Sequence, residues 1–298
     1  MDKRGRVGAV VALLVIGLTV AACGSSSDDG SSIEPAATTI PDGAGDVRFP
    51  SDQIVWQVRT AGGLVPQVSW AAQRPTLTIY GDGRAFIVAP GLDRRYDQPI
   101  ELRRGTVDLE DLAVFVAQAE ASELFEPDAD LGTPDVTDMA TTSVTLHGTG
   151  ASLDISAYAL GGRFDADLSD ALVRRRETLR RLLSSAEELV DEPESWTPDR
   201  VRVLHLTDDA TFEPKPDADP DAEPPEWPGP DLDGFAALDP EAEGAGTVLG
   251  CTEVRGSEAE DLFRAASDNP LPRWDDSGTE RTMVVVALLP DEPACDVA

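Results

Sequence analysis

PTLTIYGDGRAFIVAP, residues 75–90, decides how the rest of the chain reads. Leu77 and Ile79 share one face of a two-residue period, and Phe86 and Val88 share one across from them. Between the two runs stands Asp82-Gly83, a pair suited to a type I′ turn, whose two central residues take positive φ. The stretch therefore predicts a β-hairpin with one apolar face, and that face must be covered by something.

A second stretch has the same character. In TTSVTLHGTGASLDISAY, residues 141–158, Val144 and Leu146 face one way and Leu153, Ile155 and Ala157 do likewise. Its centre, VTLHGTG, matches LTIYGDG of the first hairpin with Val144 in the place of Leu77. Each hairpin is followed by an amphipathic helix. Asp108 reads as an N-cap with Asp111 in the first turn, and Leu109, Leu112, Phe115, Val116 and Ala119 then fall on one stripe. Residues 167–191 give a longer helix with Leu168, Leu172, Leu179, Leu182, Leu183, Ala186 and Leu189 inward. The expected fold class is α+β, with antiparallel β-hairpins and helices packed on one face. Whether hairpin-then-helix is a repeated ββα unit, or two hairpins that share T-x-x-G-x-G for turn reasons, stays open at this point.

Further out, IVWQVRT before the first hairpin and QPIELRRGTV after it read as strands. Beyond the second helix, VRVLHLT and TVLGCTEV read as strands, SEAEDLFRAAS as a helix and RTMVVVALLP as a strand buried on both faces. Between them lies 213–232, rich in proline and acid, an extended solvated loop. The organisation expected is an α+β domain over 51–192 and a C-terminal α/β extension over 193–298.

The amino terminus is of another kind. Lys3, Arg4 and Arg6 precede an uncharged run from residue 7 to 20, too short for a bilayer span, which needs about 20 residues. It ends in Val20-Ala21-Ala22-Cys23. This resembles the bacterial lipoprotein signal, in which residues 1–22 are a signal peptide, cleavage falls before the cysteine, and Cys23 carries lipid. The resemblance implies a protein on the extracytoplasmic face of the cell membrane, held by its lipid. Residues 23–50 then read as lipidated cysteine and disordered tether, with a mean reach of about 30 Å.

Residues 54–190 also resemble a small family of uncharacterised bacterial secreted domains. The likeness lies in Leu77 to Gly83, in Phe125 closing the first helix, and in Thr137-Asp138 leading through the strand to Leu146. It implies an α+β fold and no known activity.

With 24 basic against 56 acidic residues the chain carries net −32. That balance opposes phosphate-backbone binding, so no nucleic acid partner is expected. Of the basic residues only Lys3 and Lys215 are lysine, a skew typical of GC-rich genomes such as those of actinobacteria. After Cys23 only Cys251 and Cys295 remain, and in an exported chain such a pair suggests one disulfide; two buried free thiols are the alternative.

Candidate chemistry is sparse. Asp128, Asp130, Asp135 and Asp138 offer oxygen ligands for calcium but depart from the EF-hand spacing. His147 falls on the solvated face of its strand with Ser143 and Thr145, and His205 lies within VRVLHLT; neither stands in a nucleophile motif. Arg174, Arg175, Arg176, Arg180 and Arg181 form a basic patch that reads as pairing with neighbouring acids. Trp227, in PEWPGP, is the candidate partner contact, either exposed or pinning its loop. No cofactor motif stands out. The expectation is a membrane-anchored envelope lipoprotein that binds a protein or cell-wall partner without catalysis, with an apolar groove near Trp227. An extracytoplasmic enzyme and a calcium-binding envelope protein are the alternatives.

Overall fold

The first hairpin forms as its alternation dictates. The computed structural model describes residues 47–93, 99–126, 129–150, 152–214, 218–237 and 247–295. Strand β1 (Ile54–Gly62) is followed by the short helix α1 (Gln67–Ala71), and then β2 (Pro75–Tyr80) pairs antiparallel with β3 (Arg84–Val88), Leu77 opposite Ile87. The turn differs from the I′ expectation. Gly83 N donates to Tyr80 O at 2.9 Å, and Gly83 takes a φ of 85° while Asp82 does not take positive φ. The loop is thus a tight turn followed by one left-handed glycine, the longer-loop solution to the same strand geometry. A Cβ on Gly83 would lie 2.4 Å from Val107 O, so only glycine fits.

Strand β4 (Leu102–Thr106) extends this sheet before helix α2 (Leu109–Glu120), whose N-cap Asp108 accepts from Glu110 N at 2.8 Å and Asp111 N at 3.2 Å. The second hairpin is β5 (Ala140–His147) with β6 (Ser152–Tyr158), followed by helix α3 (Asp170–Glu188) and strand β7 (Asp191–Ser195). Among the described residues the strands make a seven-stranded antiparallel sheet in the order β6-β5-β1-β2-β3-β4-β7. One face carries Trp56, Val58, Leu77, Ile79, Val144, Leu146, Ile155 and Ala157, packed against Leu112, Phe115, Val116 and Ala119 of α2 and Leu179 and Ala186 of α3. Trp56 meets Phe115 edge-on at 5.0 Å.

The fold is α+β, with antiparallel hairpins and both long helices on one face of this sheet. The repeated ββα unit is not shown. Strand β4 intervenes between the first hairpin and its helix, whereas α3 follows the second hairpin without a further strand. The turns differ too: Gly150, the counterpart of Gly83, does not take positive φ.

The remaining strands are β8 (Arg200–Leu206), the two-residue β9 (Ala236–Ala237), β10 (Val248–Arg255), β11 (Arg273–Asp276) and β12 (Thr279–Ala287), with helix α4 (Ser257–Asp268) after β10. They form a second antiparallel sheet, β11-β12-β8-β10-β9. It is buried on both faces, which is why MVVVALL reads as a continuous apolar run. Val201, Val203, Val285 and Ala287 pack with α4 and with Tyr80, Phe86 and Leu102 of the first sheet. Leu204, Leu206, Val284 and Val286 pack with Val68 and Ala72 at α1. Cys251 and Cys295 form a disulfide, with Cα atoms 5.8 Å apart, which ties β10 to the segment after β12 across 44 residues. No described helix is long and apolar enough to cross a membrane.

Candidate functional site

The two sheets leave a cleft of about 680 Å³ between them. Period-two alternation explains what lines it. On β1, Trp56 and Val58 point to the helices, so Gln57 and Arg59 point the other way. Arg59 pairs across to Pro75, whose neighbour Arg74 also lines the cleft. On β8, Arg202 alternates with the buried Val201 and Val203 and brings a third guanidinium from the other sheet. Three arginines thus meet in one cleft of a chain of net −32.

Two of them, Arg202 and Arg59, respond to their neighbours. Burial, then the charge of Arg74, lowers the Arg202 pKa; Glu292 raises it and Arg59 lowers it further. Partial withdrawal from water, then Arg74, lowers that of Arg59, against an upward pull from Glu292. Both nonetheless stay charged at neutral pH, because guanidinium starts so high. Arg59 is exposed, and its side chain has no hydrogen bond or ion pair among the described residues. Arg74 is only 4 % exposed. Its Nη2 donates to Glu292, while its Nε is buried with no acceptor among the described residues.

The acids come from the segment after β12. Glu292 Oε2 also accepts from Leu289 N at 2.8 Å, and Asp291 accepts from the phenol of the fully buried Tyr80. Burial, then this hydrogen bond, raises the Tyr80 pKa. Arg200 clamps the same segment, donating to the carbonyls of Leu289 at 3.3 Å, Pro290 at 3.0 Å and Glu292 at 3.1 Å, while its Nε meets Glu253 at 2.7 Å. Trp70 of α1, 38 % exposed, adds an aromatic surface to the lining. What the cleft offers is a concentrated set of planar N–H donors, the chemistry that holds carboxylate or phosphate.

The residues singled out from sequence lie elsewhere. Cys23 and Asp128 fall outside the described residues. Asp130 Oδ1 accepts from Gly132 N at 2.8 Å, Asp135 N donates to Asp167 at 2.8 Å, and Asp138 takes a left-handed φ of 59°. No three His, Cys, Asp or Glu side chains gather to hold a metal among the described residues. Trp227 is buried, not exposed: its indole meets Trp274 edge-on at 5.2 Å and its Nε1 donates to Pro230 O at 3.0 Å, so it pins the proline-rich loop. Beside it an apolar pocket of about 440 Å³ is lined by Pro224, Pro225, Pro228, Leu271 and Trp274.

His147 Nδ1 lies 2.6 Å from Ser152 Oγ, one rung of a polar ladder on the outer face of β5–β6. The acid on that face, Asp154, is bound one rung away to Thr145 at 2.6 Å, so histidine, hydroxyl and carboxylate do not line up as a relay. His205 has a buried Nε2 with no partner among the described residues, and burial, then Arg281, lowers its pKa while Asp208 and Asp276 raise it. On α3, Arg176 is fully buried and bonds Asp165 at 2.7 Å; Arg180 meets the same carboxylate at 2.8 Å.

Arg59, Arg74 and Arg202 carry no motif. Only Arg202 leaves a signal in the sequence, a break in alternation: in VRVLHL it occupies a position that the period assigns to the interior with Leu204 and Leu206. Comparison with known proteins returns no match to a protein family, to a curated protein or to a solved structure.

Proposed function

We propose that the chain is a lipid-anchored protein of the extracytoplasmic face of the cell membrane, acting as a binding module whose cleft takes an anionic ligand. One observation carries the binding half: Arg59, Arg74 and Arg202 converge in a single cleft although acids outnumber bases 56 to 24. Like charges placed together cost stability, and a bound anion repays that cost. The location half rests on Val20-Ala21-Ala22-Cys23, and the Cys251–Cys295 disulfide supports it, because such bonds persist in oxidising compartments.

Two measurements on the native polypeptide, released from membranes by detergent, test these halves. Intact mass should give a product that starts at Cys23 and carries acyl chains; an unacylated product that still begins Met1-Asp2-Lys3 contradicts the location. Calorimetric titration with inorganic phosphate should show saturable binding that weakens as salt rises. Absence of binding at low ionic strength contradicts the cleft's role.

A further inference from the structure

We infer that the ligand of the cleft is an acidic peptide segment, bound through its side-chain carboxylates as the cleft already holds the chain's own Asp291, Glu292 and Pro293; this rests on the anion-binding reading above. Asp291, Glu292 and Pro293 line the cleft as an internal example, and the body of the protein holds the segment on both sides of them. Arg74 takes the Glu292 carboxylate, Tyr80 takes that of Asp291, and Arg200 takes three main-chain carbonyls. What the cleft itself holds of this segment is a side-chain carboxylate on a main chain, Glu292 on Arg74 with Asp291 and Pro293 beside it, so the internal example is peptide and not a lone phosphate.

The internal segment does not saturate the site. The Arg59 side chain lines the cleft with no hydrogen bond or ion pair among the described residues. The buried Nε of Arg74 also has no acceptor among them. Trp70 offers apolar contact to residues flanking the acids. An incoming acidic peptide would pair first with Arg59 and then replace Glu292 on Arg74. The segment competes well because the Cys251–Cys295 bond, three residues past Glu292, keeps it beside the cleft at high effective concentration.

The test titrates the full chain, in a non-ionic detergent, with a capped peptide of residues 287–293, ALLPDEP, and with its neutral counterpart ALLPNQP. Wild type should bind the acidic peptide weakly, Glu292→Gln should bind it at least tenfold more tightly, and the neutral peptide should bind neither. Equal affinity of wild type and Glu292→Gln, or equal binding of the two peptides, overturns the inference. Inorganic phosphate is titrated in parallel. Phosphate binding without peptide binding removes the peptide class and keeps the anion site; binding of neither removes both. Should Glu292→Gln fail to fold, competition on wild type decides: acidic peptide that weakens apparent phosphate affinity supports the inference, and peptide without effect overturns it.

Discussion

Two places in this molecule gather arginines, and they differ in almost every physical respect. On α3, Arg176 is fully buried, with Nε on Asp165 at 2.7 Å, Nη1 on Leu131 O at 3.2 Å and Nη2 on Tyr158 O at 3.1 Å and on Ala159 O. Ala159 takes a left-handed φ of 49°, uncommon for a residue with a Cβ, and this contact holds it there. Arg180 completes the knot on the second oxygen of Asp165. Between the sheets, by contrast, Arg59 is exposed, Arg74 keeps a buried Nε with no acceptor among the described residues, and the three guanidiniums repel one another. A satisfied cluster serves the fold. The proposed ligand belongs to the other, where the Arg59 side chain and the Arg74 Nε have no acceptor among the described residues.

The largest effect that separates the two is expected at the knot. Arg176→Met leaves Asp165 buried beside Arg180 alone, and breaking such a pair costs about 3–5 kcal/mol. For a unit of this size that lowers Tm by on the order of 10 °C. Calorimetry of the variant should show this fall with phosphate affinity unchanged in the protein that remains folded.

Reduction of the Cys251–Cys295 disulfide comes next. A bridge spanning 44 residues contributes about 2–4 kcal/mol. A thiol reductant should therefore lower Tm by several degrees, and the comparison sharpens if the reduced chain also binds the acidic peptide more tightly.

Arg59→Gln reverses the pattern of the knot. Because the Arg59 side chain has no hydrogen bond or ion pair among the described residues, stability should stay within about 0.5 kcal/mol of wild type. Phosphate affinity should fall about tenfold, equivalent to about 1.4 kcal/mol. A large loss of Tm would instead make Arg59 structural.

The smallest effect concerns pH. Burial holds the pKa of His205 below that of the unfolded chain, with Arg281 lowering it and Asp208 and Asp276 raising it. The unfolded chain therefore binds the extra proton first. The neutral histidine costs nothing above pH ~6.5, and stability declines as pH falls through and below that value. His205→Gln should flatten this part of the stability curve, measured as the difference from wild type between pH 7.5 and 5.5; a decline of equal slope in the variant would locate it elsewhere.

Much of the fold was legible because burial writes itself as period. Leu77, Ile79, Val144 and Leu146 alternate since one face of their sheet meets helices, and the valines of β12 run together since both of its faces are covered. Asp108 advertised the start of α2 through its own hydrogen bonds. Strand β7 gave no such sign: DEPES has no apolar face, and its place is fixed by pairing along the edge of β4, with Arg104 opposite Glu194. The five residues of α1 are too few to show a helical period. Trp227 read as either exposed or pinning its loop, and what decides for pinning is Trp274, which lies far along the chain. The cleft was hidden for the same reason, since its arginines come from β1, from the turn before β2 and from β8, and only the packing of two sheets makes them neighbours. What the sequence did display was Arg202 alone, a charge on the strand face that Leu204 and Leu206 mark as interior.

One crossed measurement tests the central contrast most directly: Tm and phosphate affinity, side by side, for wild type, Arg176→Met and Arg59→Gln. The account predicts that Arg176→Met loses stability and keeps affinity, while Arg59→Gln keeps stability and loses affinity. Affinity unchanged in Arg59→Gln, or lost equally in both variants, would contradict it.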